Sequence, residues 1–285
     1  MPRQYHYLVA GLPDLIIDDQ KTPMSTDHFR ELLHENMPDN EYDLIRSFFW
    51  RFDNDNLMNR LQNPESAIDP RGNLVSNELD ELLAAAKEGS SSAVSTLPPY
   101  LMAFILAYTS DTPAIENKRW ELQLSELYYE YILGGKNYFI KNWYAFEKDL
   151  SNILTAFNCR NHEIPVENQI IGKDELTEKL VKSNARDFGI DKDFPKIEQI
   201  LKALDEPDLL EQEKLIDRIK WDFLDEAVFF YYFTVERLFS FLIKLSMIER
   251  WMVLDKPTGQ QLFNELINNL EGSYAFPDEF KLKNK

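Results

Sequence analysis

One five-residue pattern limits what this chain can fold into. Asp53-x-x-Asn56-Leu57 returns 96 residues later as Asp149-x-x-Asn152-Ile153, a displacement close to one third of the 285 residues. Self-similarity at a fixed period restricts a fold to multiple copies of one unit. The surroundings repeat in order. Each pattern follows an aromatic segment, Ser47-Phe48-Phe49-Trp50 or Asn142-Trp143-Tyr144-Ala145-Phe146. Gly72 with Glu78-Leu79 then follows the first, and Gly172 with Glu175-Leu176 the second. A Pro-initiated apolar stretch closes each, residues 98–108 and 195–204. A third copy fits the same offset: Ile248-Glu249-Arg250-Trp251 takes the signature position and Gly259 precedes Glu265-Leu266, but Asp and Asn are absent. The expected units are residues 1–110, 111–206 and 207–285.

Within each unit the periodicity is helical. Ser25, Asp39 and Ser76 stand where N-caps belong, ahead of apolar patterns over 28–36, 42–52 and 79–87. Residues 116–133 and 138–157, joined by Gly134-Gly135, read as a helical hairpin. A further helix can run from residue 211 to 254, and its aromatic run Phe229-Phe230-Tyr231-Tyr232-Phe233 reads as buried on nearly all sides. Those five, with Tyr128, Tyr129 and Tyr131, are assigned to the core. Residues 5–10 are the best strand candidate. Nine Gly in 285 residues is roughly half the usual frequency, against Gly-rich phosphate loops and turn-dense β folds. The fold class is all-α.

A formal charge of −18 repels phosphates, so nucleic acid is not an expected partner. It also opposes anionic lipid headgroups, so direct lipid insertion is not expected either. Cys159 is the single cysteine, which excludes an internal disulfide. The start of the chain lacks the apolar run of a signal peptide, and the longest continuously apolar stretch, residues 100–108, is far short of the roughly 20 residues of a membrane span. A cytoplasmic location follows as the expectation.

Candidate chemistry is sparse. Glu31 and His34 have the Glu-x-x-His spacing of a di-iron helix, but none of His6, His28 and His162 has a Glu three positions before it to complete such a site. Asp53-Asn54-Asp55-Asn56 resembles the opening of a calcium loop, yet Leu57 and Met58 stand where an oxygen ligand and an obligatory Gly belong. Asp53 and Asp149 are instead read as helix N-terminal residues whose oxygens accept exposed backbone N–H groups. Asp187-Phe188-Gly189 matches a kinase tripeptide without the Gly-rich loop or catalytic segment that must accompany it, and no GxxxxGK[ST] is present. Cys159 near His162 has no orienting residue and is read as a buried or helix-terminal thiol. No catalytic residue, cofactor or metal is expected.

Taken together, Tyr7-Leu8-Val9-Ala10-Gly11-Leu12-Pro13-Asp14-Leu15, Tyr128-Tyr129, Asn137-x-Phe139, Trp143, Asp187-Phe188-Gly189 and Glu249-Arg250-Trp251 resemble the family of C-type central-stalk subunits of V-type and archaeal-type rotary ATPases. The resemblance is closest to a bacterial branch described as a domain of unknown function. It implies three pseudo-symmetric helical bundles arranged as a funnel, seated on the membrane rotor ring and holding the central shaft. The implied role is a non-catalytic central-stalk subunit, with the shaft subunits and the ring as partners, peripheral at the cytoplasmic face of the inner membrane through protein contacts. Asp53, Asn56, Asp149 and Asn152 would carry the family's repeat signature, and Glu249 and Arg250 its divergent third form. Alternatives are a free-standing cytoplasmic helical adaptor and a metal-dependent oxidoreductase using Glu31 and His34.

Overall fold

In the computed structural model, residues 4–18, 22–87, 97–113, 115–116 and 118–253 are described. The starts of its helices follow side-chain chemistry. Helix α1 is His6–Ala10. Ser25 accepts from the His28 N–H at 3.1 Å and opens α2, Thr26–Asn36. Pro38 precedes α3, Asp39–Gln62, and α4 is Ser76–Lys87. Pro98 precedes α5, Pro99–Thr109, and α6 is Trp120–Leu133. The Asn137 oxygen accepts from the Ile140 N–H and starts α7, Tyr138–Asn161. A capping box between Asp174 and Thr177 starts α8, Glu175–Lys182. Then come α9, Ile197–Leu204, α10, Leu209–Val228, capped by Asp208, and α11, Val235–Val253. Among the described residues there is no strand.

The helix order recurs. Helices α2, α3, α4 and α5 start at 26, 39, 76 and 99; α6, α7, α8 and α9 start at 120, 138, 175 and 197, so each follows its counterpart by 94 to 99 residues. The last two, α10 and α11, follow α6 and α7 by 89 and 97. Packing follows the same rule. The first helix of each set packs on the second, α2 on α3, α6 on α7 and α10 on α11. Each second helix also meets the first helix of another set: α3 meets α6, α7 meets α10, and α11 meets α2. Gly259, Glu265 and Leu266, assigned to the third copy, lie outside the described residues.

One continuous apolar core joins these helices. Where the three long helices α3, α7 and α11 meet, Phe239 lies 6.4 Å from Phe48, 6.3 Å from Phe139 and 6.3 Å from Tyr144 between ring centroids. Tyr128 and Tyr144 both donate to the Ser47 carbonyl, at 3.0 and 3.1 Å, so the buried hydroxyls are satisfied on the neighbouring long helix. Edge-to-face rings of this kind add stability beyond the area they bury.

Two expected caps lie inside their helices: Pro38, not Asp39, is the N-cap of α3, and Ser76 is the first residue of α4. Three larger sequence expectations are also corrected. Residues 5–10 are not a strand: His6–Ala10 is a short helix that buries Leu8, and the Tyr5 N–H bonds the Phe233 carbonyl instead of a sheet ladder. The helix expected from 211 to 254 is two helices. Five successive aromatic side chains crowd one another in helical geometry, and the chain turns through residues 229–234 between α10 and α11. The core assignment of the aromatic run fails with it. Phe229, Phe230 and Tyr232 are exposed and Tyr231 and Phe233 partly buried, while Tyr128 is buried, Tyr129 partly buried and Tyr131 exposed.

Phe239→Ala removes the ring that all three long helices share, so urea unfolding is expected to show a loss of about 3–5 kcal/mol. Phe229→Ala, on the exposed turn, is expected to stay within about 0.5 kcal/mol of the parent. Equal losses in the two variants would contradict this placement of the core.

Candidate functional site

The signature residues sit in the middle of the long helices. Asp53 and Asn56 lie within α3, Asp149 and Asn152 within α7, so the helix N-terminal role expected for the aspartates is wrong. Propensity favours a break at a run of Asp and Asn, since their side chains compete for backbone bonds. Here the side chains find partners on a different segment, and the helix runs through.

Those partners are the loops that follow each helix. The Asn56 Oδ1 accepts from the Asp69 N–H at 2.6 Å while its Nδ2 donates to the Asp69 carbonyl at 2.9 Å. In the second copy Asn152 does the same to Ile171, at 2.7 and 2.8 Å. Both asparagines are buried. Each therefore satisfies both polar groups of one loop residue, Ile171 being buried and Asp69 partly buried.

A second clamp comes from the preceding helices, again 96 residues apart. Arg30 on α2 donates from Nη1 to the carbonyls of Arg71 (2.8 Å) and Gly72 (3.0 Å), with its guanidinium 4.0 Å over the Phe49 ring. Glu126 on α6 accepts from the Gly172 N–H at 3.1 Å, and its other oxygen takes Lys118 Nζ at 2.7 Å. Matching the two copies by residue type misses this pair, because the charges are opposite. The glycines are needed for different reasons. A Cβ on Gly72 would stand 2.5 Å from the Asp53 Oδ1, whereas Gly172 has φ +83°, which disfavours other residues.

The aspartates differ more. Asp53 is buried and accepts from the Asn73 N–H and Nδ2 and from the Leu74 N–H at 2.8 to 2.9 Å. Burial still raises its carboxyl above the usual carboxylate value, and these bonds with the charge of Arg30 pull it back only in part. Among the described residues no loop group donates to the Asp149 Oδ1. Its Oδ1 stands 3.3 Å from Lys148 Nζ without a hydrogen bond, and Lys148 instead donates to Asp174 at 2.5 Å. Burial raises Asp149 as well, with Lys148 opposing.

Glu249 and Arg250 hold the last helix in place. Glu249 accepts from the Thr26 N–H at 2.7 Å, filling an open donor at the start of α2 from 223 residues away. Arg250 and the Trp251 Nε1 both donate to Asp217, a buried carboxylate on α10.

Other candidates resolve plainly. Glu31 and His34 are exposed on α2, and among the described residues no group of three or more His, Cys, Asp or Glu is placed to hold a metal ion. Cys159 is buried in the last turn of α7, where burial pushes its thiol up. Asp187-Phe188-Gly189 forms a turn with positive φ at Phe188 and Gly189, and Phe188 packs under the Arg160 guanidinium at 3.9 Å. A cleft of about 780 Å³ opens beside the first clasp, lined by Asn54, Asp55, Asn59, Gln62, Arg71 and Glu121 among others.

The surface feature that stands out is aromatic. Tyr7, Tyr138 and Phe230 are 87%, 75% and 80% exposed, and Phe229 and Tyr232 about two-thirds. Neighbouring contacts bring their segments together: the His6 ring lies 4.3 Å from that of Phe233, Phe139 meets Tyr231 at 5.8 Å, and Asn137 donates to Glu236 at 2.8 Å. Exposed rings gathered at one place mark interaction surfaces.

Buried clasps that hold loops and a set of exposed aromatic rings are carried on a frame that is all-helical among the described residues. The chain belongs to the family described as "Protein of unknown function (DUF2764)", whose model matches residues 2–273. No curated protein and no solved structure matches it. Among the described residues no helix is long and apolar enough to cross a membrane.

Asn152→Ala removes the partner of both the N–H and the C=O of the buried Ile171 and is expected to lower stability by about 2–5 kcal/mol in urea titrations. Asn56→Ala is expected to cost less, about 1–2 kcal/mol, because Asp69 is only partly buried and its carbonyl keeps the Gly72 N–H at 3.3 Å. The titration of Asp149 has a defined sign. Its folded carboxyl holds a proton more tightly than the unfolded one, so its contribution is full below the unfolded value and lost as pH rises through the folded value. Asp149→Asn removes that loss. The stability difference between variant and parent is expected to move in favour of the variant as pH rises from about 3 to 7; a shift the other way would refute the assignment.

Proposed function

We propose that this protein is a non-catalytic central-stalk subunit that couples the rotary shaft to the membrane rotor ring of a V-type ATPase or ATP synthase. The observation that carries the reading is cyclic packing: α3 on α6, α7 on α10 and α11 back on α2. That closure supports three pseudo-symmetric bundles, residues 1–110, 111–206 and 207–285, around a common axis. A part that turns with a shaft has to resist shear between its units, and close-packed interiors deform little. The aromatic junction at Phe48, Phe139, Tyr144 and Phe239 supplies such an interior. Because rings fill that junction, the funnel's socket lies at one end of the bundle axis.

The gripping surface in this reading is the exposed aromatic group, Tyr7, Tyr138, Phe229, Phe230 and Tyr232. Tyr and Phe bury large area on docking at small entropic cost, which suits a contact that carries load. Charge supports a protein anchor: a body of net −18 is repelled by anionic lipid and attracted to the Lys- and Arg-rich cytoplasmic loops of a membrane ring. The subunit would then sit at the cytoplasmic face of the inner membrane through protein contacts, without a cofactor or a catalytic site of its own.

Purified protein is expected to retain both the shaft subunits and the detergent-solubilised ring in pull-downs. Phe230→Ala with Tyr232→Ala is expected to weaken one of these by roughly 30-fold or more at an unchanged urea midpoint. Failure to retain either partner would remove the proposal, and elution from native membranes free of motor subunits would favour a free-standing adaptor.

A further inference from the structure

A cavity of about 350 Å³ lies between the segment after α1 and the helices α10 and α11. That volume suits a small molecule of a few to ten heavy atoms. Leu12, Pro13, Leu15 and the Trp221 ring give it apolar walls. Its polar groups come from helical spacing. Arg237, Ser240 and Lys244 fall on one face of α11, and Trp221 and Asp225 on one face of α10.

Lys244 is the unusual group. It is 92% buried, since 8% of it is exposed, yet it lines the cavity. Its Nζ donates to the Asp225 Oδ1 at 2.5 Å and stands 4.4 Å over the Trp221 ring. Burial lowers its ammonium below the ordinary lysine value; Asp225 and Asp222 oppose the shift, and Arg237 adds to it. Arg237 is exposed and makes no ion pair among the described residues. Asp14 also lines the cavity, which limits the negative charge a ligand can bring. None of these groups takes part in the clasps or in the proposed docking surface.

We propose that this cavity binds a small carbonyl compound bearing one carboxylate, a 2-oxo acid in chemical class, and that Lys244 forms a reversible Schiff base with it. Arg237 receives the carboxylate in a charge-assisted pair. Asp225 takes a proton from the Lys244 ammonium, and the neutral amine adds to the carbonyl carbon to form the C–N bond. A second nitrogen proton passes to the new oxygen. Asp225 then returns its proton to that hydroxyl, the C–O bond breaks with its electron pair, and water leaves. The iminium that remains keeps one positive charge beside Asp225 and over the Trp221 face, as the ammonium did. A lysine desolvated next to a second cation is a group suited to this chemistry.

The test treats the full chain with pyruvate and cyanoborohydride and maps the reduced adducts by peptide mass spectrometry. Labelling is expected to saturate with pyruvate and to concentrate on Lys244, with exposed lysines such as Lys141 far slower. Asp225→Asn is expected to slow trapping by roughly 100-fold. Arg237→Ala is expected to raise the half-saturating pyruvate concentration roughly ten-fold while leaving that for acetone unchanged. Because the map on the unaltered chain is the primary readout, no variant has to fold for the idea to fail. Lys244 labelled no faster than Lys141, or labelling that stays linear in pyruvate, overturns the proposal. Neither outcome bears on the pull-downs, which address a different surface.

Discussion

The structure depends on a single kind of bond, in which a buried asparagine takes both the N–H and the C=O of one loop residue. A protein made of helices has to cross between them, and each crossing carries backbone groups with no helical partner. Where such a crossing is pressed against the core, water cannot serve, and a lost partner costs more than a made bond contributes. Asn152 meets that requirement at the buried Ile171, and Asn56 makes the same pair of bonds at the partly buried Asp69. The two loops differ in length, 13 residues from asparagine to partner in one and 19 in the other. The clasp is nevertheless the same, because what it needs is one free amide and one backbone pair, whatever the loop between them does.

That clasp also explains what could be read from the residues and what could not. The spacing of Asn56 and Asn152 was visible, and so was the cap at Ser25, because each is a local pattern with a fixed offset. The direction in which the signature side chains point was not. Local propensity places Asp53 at a helix start, and only the loop around Asn73 and Leu74, 20 residues on, turns it into a mid-helix acceptor. Arg30 and Glu126 were invisible for another reason. They hold equivalent glycines from equivalent positions with opposite charge, one donating to a carbonyl and the other accepting from an N–H. A loop backbone offers both groups, so either sign serves, and residue identity carries no trace of the shared role. The Lys244 cavity was equally hidden, since it needs α10, α11 and the segment after α1 to be brought together.

The aromatic run at 229–233 failed as a core prediction for a physical reason. Hydrophobic content alone cannot distinguish a buried helix from a surface that awaits a partner, because both are rich in the same side chains. What separates them is backbone. Phe233 gives its carbonyl to Tyr5, the helix stops, and Phe230 is left exposed while Phe239, one helix later, is wholly enclosed. In the proposed coupling role this is a useful division: Phe239 holds the three long helices to one another, and Phe230 is left for the partner.

The divergence of the last copy follows from the same geometry. In the first two copies the signature position faces a loop of its own unit, and Asn suits a backbone pair. At the corresponding place on α11 the neighbours are α2 and α10, which present different groups: the open N–H of Thr26 at a helix start and the buried carboxylate of Asp217. An open helix N-terminus favours an anion, and a buried carboxylate demands a cation or strong donors. Glu249 meets the first demand, and Arg250 with Trp251 the second. In the three-unit reading, Glu249 joins the last unit to the first and Arg250 ties together the two helices of the last unit, and Asn at either place could supply neither charge.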